Sequence, residues 1–496
     1  MLSKVSRNSR SYSTLLRRET LNPNILRAEY AVRGRVLIQA DKYNEQLRSG
    51  DHNLPFDEIT YCNIGNPQQL RQQPLTFNRN VISCVLSKDL MEYAQNHKVF
   101  KPDVIRRAQR YLDGIDGNSG AYTHSQGLSM IRQDVADFIN TRDELEYNFT
   151  DPSRIFLTDG ASPACQMALK AMIRGRNDGI MIPIPQYPLY SASIELFGGT
   201  QVPYELDEER AWGLNVLDLE DSYQSARKNG KEIRALVVIN PGNPTGQVMT
   251  KENMEQVIEW CHRRQVVLMA DEVYQENVYA PNKKFYSFRK VAHGMGRQFE
   301  DELQLLSFHS VSKGFLGECG RRGGYVEISN NIPQDVVDEF YKMASVNLCP
   351  NVDGQLTVAL MVNPPKEGDE SYDQYKSERD SILKSLGRRA KRLVSILNSL
   401  PGVTCADAEG AMYAFPQIQV PDRAITEAQR QGMTPDLFYV LSLLEATGIC
   451  VVPGAGFGQK DGTYHFRTTF LPPEEDMEKV GKKLVEFHTA FMNQWG

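Results

Sequence analysis

A single lysine lies at the centre of the stretch of this sequence that is best equipped for chemistry. Lys313 is preceded by Ser310 and Ser312 and is followed by two adjacent arginines, Arg321 and Arg322. An amine that is desolvated at the end of a buried strand loses some of its preference for a proton and can attack a carbonyl carbon. Neighbouring hydroxyl and guanidinium groups would suit a phosphate.

These groups together indicate a cofactor that offers both a carbonyl carbon and a phosphate, and pyridoxal phosphate is a group of that kind. The pattern Ser-x-Ser-Lys taken alone is more often a surface loop with a solvated lysine. The interpretation of Lys313 therefore depends on which other side chains the fold brings to it.

Length and composition disfavour several classes of function. The chain has 496 residues, 41% hydrophobic and 24% charged, so two domains of ordinary globular composition are expected. No apolar run is long enough to span a membrane, and a net charge of -6 without a dense basic stripe disfavours nucleic acid as a partner. The eight cysteines form no Cys-x-x-Cys pair and no His-Glu-x-x-His occurs, so we expect reduced thiols and no metal site.

The first residues differ in kind from the rest of the chain. Residues 1–18 contain five basic residues, five serines and no acidic residue. This composition is typical of a mitochondrial transit peptide rather than of a secretory signal, which needs a continuous apolar stretch. We expect residues 1–20 to be a transit segment and the protein to lie in the mitochondrial matrix. A disordered basic tail on a cytoplasmic protein is the alternative.

Alternation of strands and helices begins near residue 154 and places polar motifs at the ends of apolar strands. The runs 155–158, 235–239, 266–270 and 303–308 lack polar alternation, which is typical of parallel strands buried on both faces. Ligands bind at the carboxyl ends of such strands in open α/β sheets. The predicted fold class is α/β, with a large domain whose mostly parallel sheet is sandwiched by helices, plus a smaller α+β domain.

The domain organisation follows from the same pattern. Residues 21–85 are expected to form an N-terminal arm and part of the smaller domain, and residues 86–375 the large domain. Residues 376–496 would complete the smaller domain, with a charged helix over residues 371–399 as the connector. Neither a dinucleotide-binding fingerprint nor a P-loop follows a predicted strand.

Seven short motifs occur at predicted strand ends. They are Gly160-Ala161-Ser162, Tyr187, Asn243-Pro244-Thr245-Gly246, Asp271-Glu272-Val273-Tyr274, Ser310-Val311-Ser312-Lys313, Arg322-Gly323-Gly324 and Phe466-Arg467. Each is weak alone, but their types and order together resemble the fold-type-I aminotransferases that use pyridoxal phosphate. The resemblance extends from about residue 25 to the end of the chain and implies that the large domain binds this cofactor.

The resemblance implies roles for the groups near the lysine. Lys313 would bind the cofactor covalently and, once released, move the proton between the substrate α-carbon and the cofactor. Asp271 would keep the pyridine nitrogen protonated, and Tyr187 would stack on the ring as a third catalytic residue. Asn243 and Tyr274 would donate to the ring oxygen. Without the family, Asp271 fits a helix N-cap, Asn243 a turn and Tyr187 core packing.

The phosphate would be held at the start of a helix whose N–H groups point at anions. The resemblance implies as its ligands Ala161, Ser162, Ser310, Ser312 and Arg322. The spacing Arg-x-Gly favours Arg322 over Arg321, but the choice between them stays open. Tyr122 would reach the phosphate of the partner subunit, and a loop tyrosine without a ligand is the alternative.

Three residues are expected at the α-carboxylate of the substrate, namely Arg467, Gly65 and Asn243. Arg467 would grip the carboxylate in a bidentate pair, which orients the Cα–H bond across the ring plane. Gly65 follows a predicted strand and would bring its backbone close to the same group. An arginine on the surface is the alternative for Arg467.

Within the family, the likeness is greatest to the alanine aminotransferase subgroup, and residues 30–34, 62–67, 312–320 and 464–467 carry it. It implies amino transfer between L-alanine and 2-oxoglutarate, with small amino acids and 2-oxo acids as partners and a homodimer as the assembly. Alanine–glyoxylate and glutamate–glyoxylate transaminases share much of this pattern and stay open. A lyase or synthase on this fold is a further alternative. A transcriptional regulator is disfavoured, because no helix-turn-helix module precedes the large domain.

Overall fold

Eight strands form one central sheet in the computed structural model, which describes residues 16–30, 34–50, 52–115, 118–146 and 149–496. The strands along the chain are β1 Thr60–Tyr61, β2 Ile155–Thr158, β3 Asp178–Ile184, β4 Thr200–Asp207, β5 Gly213–Leu214, β6 Glu232–Ile239, β7 Val267–Asp271, β8 Leu305–Ser310, β9 Gly324–Ile328, β10 Val403–Thr404, β11 Tyr413–Ala414, β12 Gln417–Ile418, β13 Ile449–Cys450, β14 Val452–Pro453 and β15 Phe466–Thr469.

The central sheet has the strand order β2-β9-β8-β7-β6-β3-β4-β5. Strands β4, β3, β6, β7 and β8 pair in parallel, whereas β9 and β5 run antiparallel to their neighbours. This confirms the prediction of a mostly parallel sheet. The carboxyl ends of β2, β6, β7 and β8 meet at one edge, and β9 begins there, because Gly324 pairs with both Thr158 and Ser310.

The described residues form eighteen α-helices, which are distributed over two cores. They are α1 Pro23–Arg27, α2 Arg35–Ser49, α3 Thr76–Leu86, α4 Lys88–His97, α5 Pro102–Gly114, α6 Ser129–Asp143, α7 Ala161–Met172, α8 Leu189–Leu196, α9 Val216–Lys228, α10 Lys251–Arg264, α11 Phe288–Gly294, α12 Arg297–Glu302, α13 Gln334–Val346, α14 Val352–Val362, α15 Tyr372–Asn398, α16 Asp422–Arg430, α17 Pro435–Thr447 and α18 Glu474–Trp495.

Both faces of the sheet are buried under helices. Ala235 and Val237 of β6 pack against α7 and α8, whereas Leu236 and Val238 pack against α9 and α10. Successive side chains of a strand point to opposite faces, so a strand that is apolar at every position must be covered twice. The predicted α/β fold class is thus confirmed. Among the described residues, no helix is long and apolar enough to cross a membrane.

A second, smaller core forms around short strands near the end of the chain. Strands β11, β15 and β14 make a three-stranded antiparallel sheet, and α15, α17 and α18 contribute to the core beside it. Strand β1 pairs in parallel with β13, which ties an early segment to this later region. The predicted domain boundaries at residues 85/86 and 375/376 stay a prediction.

The helical segment predicted near residues 79–97 is divided at Ser87, whose hydroxyl accepts a hydrogen bond from Leu90 N at 3.2 Å and thereby caps α4. Most of the predicted transit segment, residues 1–15, lies outside the described residues, as do residues 31–33 of the stretch 30–34.

Candidate active site

Lys313 lies just beyond β8, and its amine reaches across to the segment after β1. Its Nζ donates to Gly65 O at 3.0 Å and approaches Tyr413 Oη at 3.5 Å. The ring centre of Tyr274 is 5.7 Å away. A Cβ at Gly65 would lie 2.9 Å from Lys313 Nζ, so glycine at this position keeps the space beside the amine open. The amine is thus held by a backbone carbonyl and a tyrosine rather than by a carboxylate.

Asp271 ends β7 and is almost fully buried. Its Oδ2 accepts a hydrogen bond from Tyr190 Oη at 2.8 Å, and Tyr190 Oη also contacts Cys165 Sγ at 3.4 Å. Burial raises the pKa of Asp271 to about 6, although the Tyr190 hydroxyl and the charge of Lys313 act to lower it. A buried carboxylate that forms no ion pair with a described residue favours a cationic ligand, because such a ligand would stabilise its ionised form.

Asn243 links Tyr274 to the buried guanidinium of Arg467. Its Nδ2 donates to Tyr274 Oη at 3.4 Å, and its Oδ1 accepts from Arg467 NH1 at 3.0 Å. These contacts bring together residues from the loops after β6 and β7 and from β15. Parallel strand ends and the smaller sheet therefore meet at this point.

Arg467 is only 1% exposed and lies between two aromatic rings. Its Cζ is 4.2 Å from the ring centre of Tyr413 and 4.7 Å from that of Phe457. NH2 donates to Asn63 O, but Nε has no hydrogen-bond partner among the described residues. Asn63 Oδ1 is likewise buried without a described partner. A buried donor of this kind costs free energy unless a ligand satisfies it, which makes Arg467 a site for an anion.

A second anion-binding region surrounds the start of α7. Gly160 has φ +93° and α7 has no side-chain cap, so the first N–H groups, at Ala161 and Ser162, are not used by a capping side chain. A Cβ at Gly160 would lie 3.0 Å from Arg322 Cζ, which shows how closely the guanidinium approaches this turn. Ser310 Oγ donates to Ser312 Oγ at 3.1 Å, so both hydroxyls lie at the same edge.

The two adjacent arginines have different partners. Arg321 NH1 donates to Asp353 Oδ2 at 3.3 Å. Arg322 donates to Ser312 Oγ at 3.4 Å and to the carbonyl oxygens of Cys319 and Asp159 at 2.9 Å. No described carboxylate lies within ion-pair distance of Arg322. Its charge is therefore available to a ligand, whereas that of Arg321 is already paired.

Two further candidate tyrosines occupy different environments. Tyr187 Oη is 2.6 Å from Tyr30 Oη of the N-terminal segment, and the two rings meet edge to face. Burial and the neighbouring Tyr30 raise the pKa of Tyr187 well above its ordinary value. Tyr122 is 79% exposed and makes no described contact with the groups around Lys313. Within one chain, the structure therefore does not bring Tyr122 into the site.

Sequence reasoning missed three residues of this site, namely Tyr413, Tyr190 and Asn63. Tyr413 accepts a hydrogen bond from Tyr274 Oη at 3.3 Å, in addition to its contacts with Lys313 and Arg467. Tyr190 lies three residues after Tyr187, at the spacing of one helical turn, and this could have drawn attention to it. For Tyr413 no comparable signal exists, because it belongs to a segment remote from Lys313 in sequence.

The donor set fits pyridoxal phosphate. The uncapped turn at Gly160 with Arg322 and the two serine hydroxyls would take the phosphate, and the buried carboxylate of Asp271 would take a protonated ring nitrogen. Lys313 would supply the amine that reacts with the aldehyde. The unsatisfied Nε of Arg467 would take the carboxylate of a substrate.

The chain belongs to the class I and II aminotransferases, because the model of that family matches residues 85–484. Proteins of this class depend on pyridoxal phosphate in general and act on amino and oxo acids. The chain is 55% identical over 477 residues to the probable mitochondrial alanine aminotransferase of Dictyostelium discoideum, covering 95% of this chain and 88% of that protein.

Other relatives carry a different activity in their names. The chain is 47% identical over 477 residues to glutamate–glyoxylate aminotransferase 1 of Arabidopsis thaliana, covering 96% of each protein. The solved structure of an alanine aminotransferase from Pyrococcus furiosus has a TM-score of 0.74 and 22% identity, covering 95% of this chain and 100% of that one. At this identity the structural likeness concerns the fold.

Proposed function

We propose that this protein catalyses reversible amino transfer between L-alanine and 2-oxoglutarate, giving pyruvate and L-glutamate. One observation carries the chemistry: the amine of Lys313 and the buried guanidinium of Arg467, which has an unsatisfied donor, both contact Tyr413, and the charge of Lys313 acts on the buried carboxylate of Asp271. The 55% identity to a protein named as an alanine aminotransferase supports the choice of amino acid.

Pyridoxal phosphate, when bound, supplies an electron-accepting ring and an aldehyde carbon that can carry the amino group between substrates. Its phosphate would lie against Ala161, Ser162, Ser310, Ser312 and Arg322, and its ring against Tyr187, with donors from Asn243 and Tyr274. The carboxylate of Asp271 would hold the ring nitrogen in its protonated form, since a buried carboxylate gains most from a cationic partner.

Lys313 would hold and move the proton at the substrate α-carbon. For that role the substrate must be fixed, and Arg467 with Asn243 and the backbone at Gly65 would grip its α-carboxylate. A bidentate grip fixes which bond at the α-carbon stands across the ring plane, so the same groups orient the substrate for loss of the Cα–H proton.

The assembly and location are part of the same proposal. An exposed tyrosine on a loop, Tyr122, fits a residue that completes the phosphate site of a partner subunit in a homodimer. Residues 1–20 are proposed as a mitochondrial transit segment, which is consistent with relatives that are named mitochondrial. Import of the full chain, but not of a chain lacking residues 1–20, into isolated mitochondria would test this.

A second candidate function is amino transfer to glyoxylate. The 47% identity to a glutamate–glyoxylate aminotransferase across 96% of the chain supports this second candidate. Because both activities need the same grip on an α-carboxylate, the side-chain pocket must decide between them. A matrix of amino donors against oxo-acid acceptors, assayed with purified protein, separates the two: efficient turnover with 2-oxoglutarate and alanine but not with glyoxylate supports the first proposal.

Replacement of the amine tests the core of the proposal. Lys313→Ala should abolish multiple-turnover transamination, because no other described amine contacts Gly65 O and Tyr413 Oη. Lys342→Ala is a matched control, since Lys342 is exposed and paired with Glu339 on α13. Normal multiple-turnover activity in Lys313→Ala would overturn the assignment.

A further inference from the structure

Tyr413 contacts two of the three cationic side chains of the site, Lys313 and Arg467. Its Oη lies 3.5 Å from Lys313 Nζ, and its ring centre lies 4.2 Å from Arg467 Cζ. It is 2% exposed, so its hydroxyl makes its hydrogen bonds within the protein. Tyr413 reaches Lys313 from β11, whereas Lys313 and Tyr274 belong to loops of the central sheet.

The surroundings of the Tyr413 hydroxyl favour its ionised form. Lys313 and Arg467 supply positive charge, and Tyr274 donates a hydrogen bond to Tyr413 Oη at 3.3 Å. Tyr187 and Asp271 are further titratable groups nearby: burial raises the pKa of both Tyr187 and Tyr274, and Tyr413 adds to the rise at Tyr187 as Asp271 does at Tyr274. Burial acts to raise the pKa of Tyr413, but the two cations and the hydrogen bond from Tyr274 outweigh it and lower the pKa.

The ammonium group of Lys313 must lose a proton before it can react, and Tyr413 lies where it can accept that proton. An ammonium group cannot attack a carbonyl carbon, because its nitrogen has no free electron pair. Among the described residues, Gly65 O and Tyr413 Oη are the hydrogen-bond acceptors of Lys313 Nζ. A carbonyl oxygen cannot hold the proton at neutral pH, whereas a phenolate can.

We propose that Tyr413 takes the proton that Lys313 must lose before its amine reacts. This inference rests on the proposed role of Lys313 as the reacting amine. In the step, one N–H bond of the ammonium breaks, its electron pair stays on nitrogen, and an O–H bond forms on the phenolate oxygen. Amine and phenol replace ammonium and phenolate, so the pair keeps its net charge.

The competing interpretation is that Tyr413 only packs against Arg467. Tyr413→Phe separates the two, because it keeps the ring and removes the hydroxyl. If the proton stays within the pair, formation of the neutral amine needs no exchange with solvent, and its extent is insensitive to pH as long as the pair as a whole keeps its proton. Without the hydroxyl, the amine must release its proton to solvent, and its reactivity then follows pH.

The experiment measures how fast Lys313 captures pyridoxal phosphate. Full-length protein freed of cofactor is mixed with pyridoxal phosphate, and the absorbance change is followed between about pH 6.5 and pH 8.5. The rate for the unmodified protein should vary by less than about threefold, whereas that for Tyr413→Phe should rise about tenfold per pH unit. In steady-state turnover, kcat of Tyr413→Phe should be about 100-fold below that of the unmodified protein, with KM for alanine nearly unchanged.

Tyr279→Phe is the matched control. Tyr279 is a partly buried tyrosine whose hydroxyl donates to Ala411 O at 3.0 Å, so its loss disturbs the same segment without touching Lys313. Its capture rate should keep the pH profile of the unmodified protein. Identical pH profiles for Tyr413→Phe and the unmodified protein would overturn the proposal, as would a one-proton dependence in the unmodified protein itself. Capture by Lys313→Ala would instead contradict the proposed function.

Discussion

The two anion-binding ends of the site are built in different ways. Around Arg322, the groups come from the central sheet and its loops: Gly160 after β2, Ser310 at the end of β8 and Arg322 before β9. Around Arg467, they come from three separate parts of the chain, because β15 carries the arginine and Asn63 and Asn243 contact it from elsewhere.

This difference indicates a division of work. The Arg322 end is fixed by paired neighbouring strands, so it suits a group that stays bound, such as a cofactor phosphate. The Arg467 end is buried, with an unsatisfied Nε, and depends on how the smaller sheet meets the central one. It suits a substrate that binds and leaves in each cycle. Substitutions at the two ends should therefore change different constants.

Among substitutions that leave the amine of Lys313 in place, the largest effect is expected at Asp271. Asp271→Asn should lower kcat about 1,000-fold, because an amide cannot keep a ring nitrogen protonated, while both anion ends stay intact. Asp103→Asn is the control, since Asp103 is also buried but accepts hydrogen bonds from Ser371 instead. Steady-state kinetics at saturating cofactor provide the measurement, and a loss below about tenfold would contradict the role.

The same variant has an expected signature in stability. The pKa of Asp271 is raised to about 6 from 3.8, so the folded state binds this proton more tightly than the unfolded state. The contribution of Asp271 to the stability of the cofactor-free protein should therefore fall as the pH rises from about 4 to about 6, by about 2 kcal/mol. Urea unfolding of the unmodified protein and of Asp271→Asn, at about pH 4.5 and pH 8, measures this contribution as the difference between their free energies of unfolding. If the difference in free energy of unfolding between the two proteins is the same at both pH values, the pKa of Asp271 is not raised.

Arg467→Lys tests the substrate end. A lysine lacks the planar fork for a bidentate carboxylate, so kcat/KM for both amino and oxo acids should fall about 100-fold. The affinity for pyridoxal phosphate should change by less than about threefold, because the other end is untouched. Arg389→Lys is a matched control: Arg389 is buried and donates to Pro472 O at 3.1 Å, away from the site. A large loss of cofactor affinity in Arg467→Lys would contradict the proposal that Arg467 binds the substrate and Arg322 the cofactor.

The phosphate end separates the neighbours Arg321 and Arg322. Arg322→Gln should weaken the affinity for pyridoxal phosphate about 10- to 100-fold, as expected for the loss of a charged hydrogen bond. Arg321→Gln should weaken it less than about threefold, because Arg321 is paired with Asp353. Equilibrium titration of the cofactor-free protein measures both. If both variants lose the same affinity for pyridoxal phosphate, the positive charge of the loop matters rather than the particular position of Arg322.

Much of the site could be predicted because parallel strands bring their carboxyl ends to one edge. Asp271 and the serines near Lys313 belong to motifs that end or follow β7 and β8, so local pattern was sufficient to place them. The strand before Lys313 was expected over residues 303–308 and forms over Leu305–Ser310. This shift of two residues does not move the lysine away from the sheet edge.

The remainder depends on long-range packing that local pattern does not encode. Tyr413 meets Lys313 only because β11 pairs with β15 beside the central sheet. The difference between Arg321 and Arg322 likewise depends on Asp353 from another element and on the left-handed backbone of Arg322, at φ +53°. Sequence spacing favoured Arg322, but the partners that distinguish the two arginines are visible only in three dimensions.

The smallest expected effect concerns a link that helps to position the substrate end. His465 lies two residues before Arg467, stacks on Phe415 at 4.8 Å, and its Nε2 is 3.1 Å from Glu208 Oε2. Because Glu208 belongs to the segment after β4, this contact joins the strand of Arg467 to the central sheet.

Glu208→Gln should raise KM for alanine only about two- to fivefold, since a hydrogen bond to a partly exposed carboxylate contributes about 1 kcal/mol. Cofactor affinity should not change, and Glu209→Gln, an exposed neighbour, serves as the control. An equal rise in KM for both variants would assign the effect to surface charge. A change in cofactor affinity for Glu208→Gln alone would show that the two ends of the site are coupled through the sheet rather than built independently.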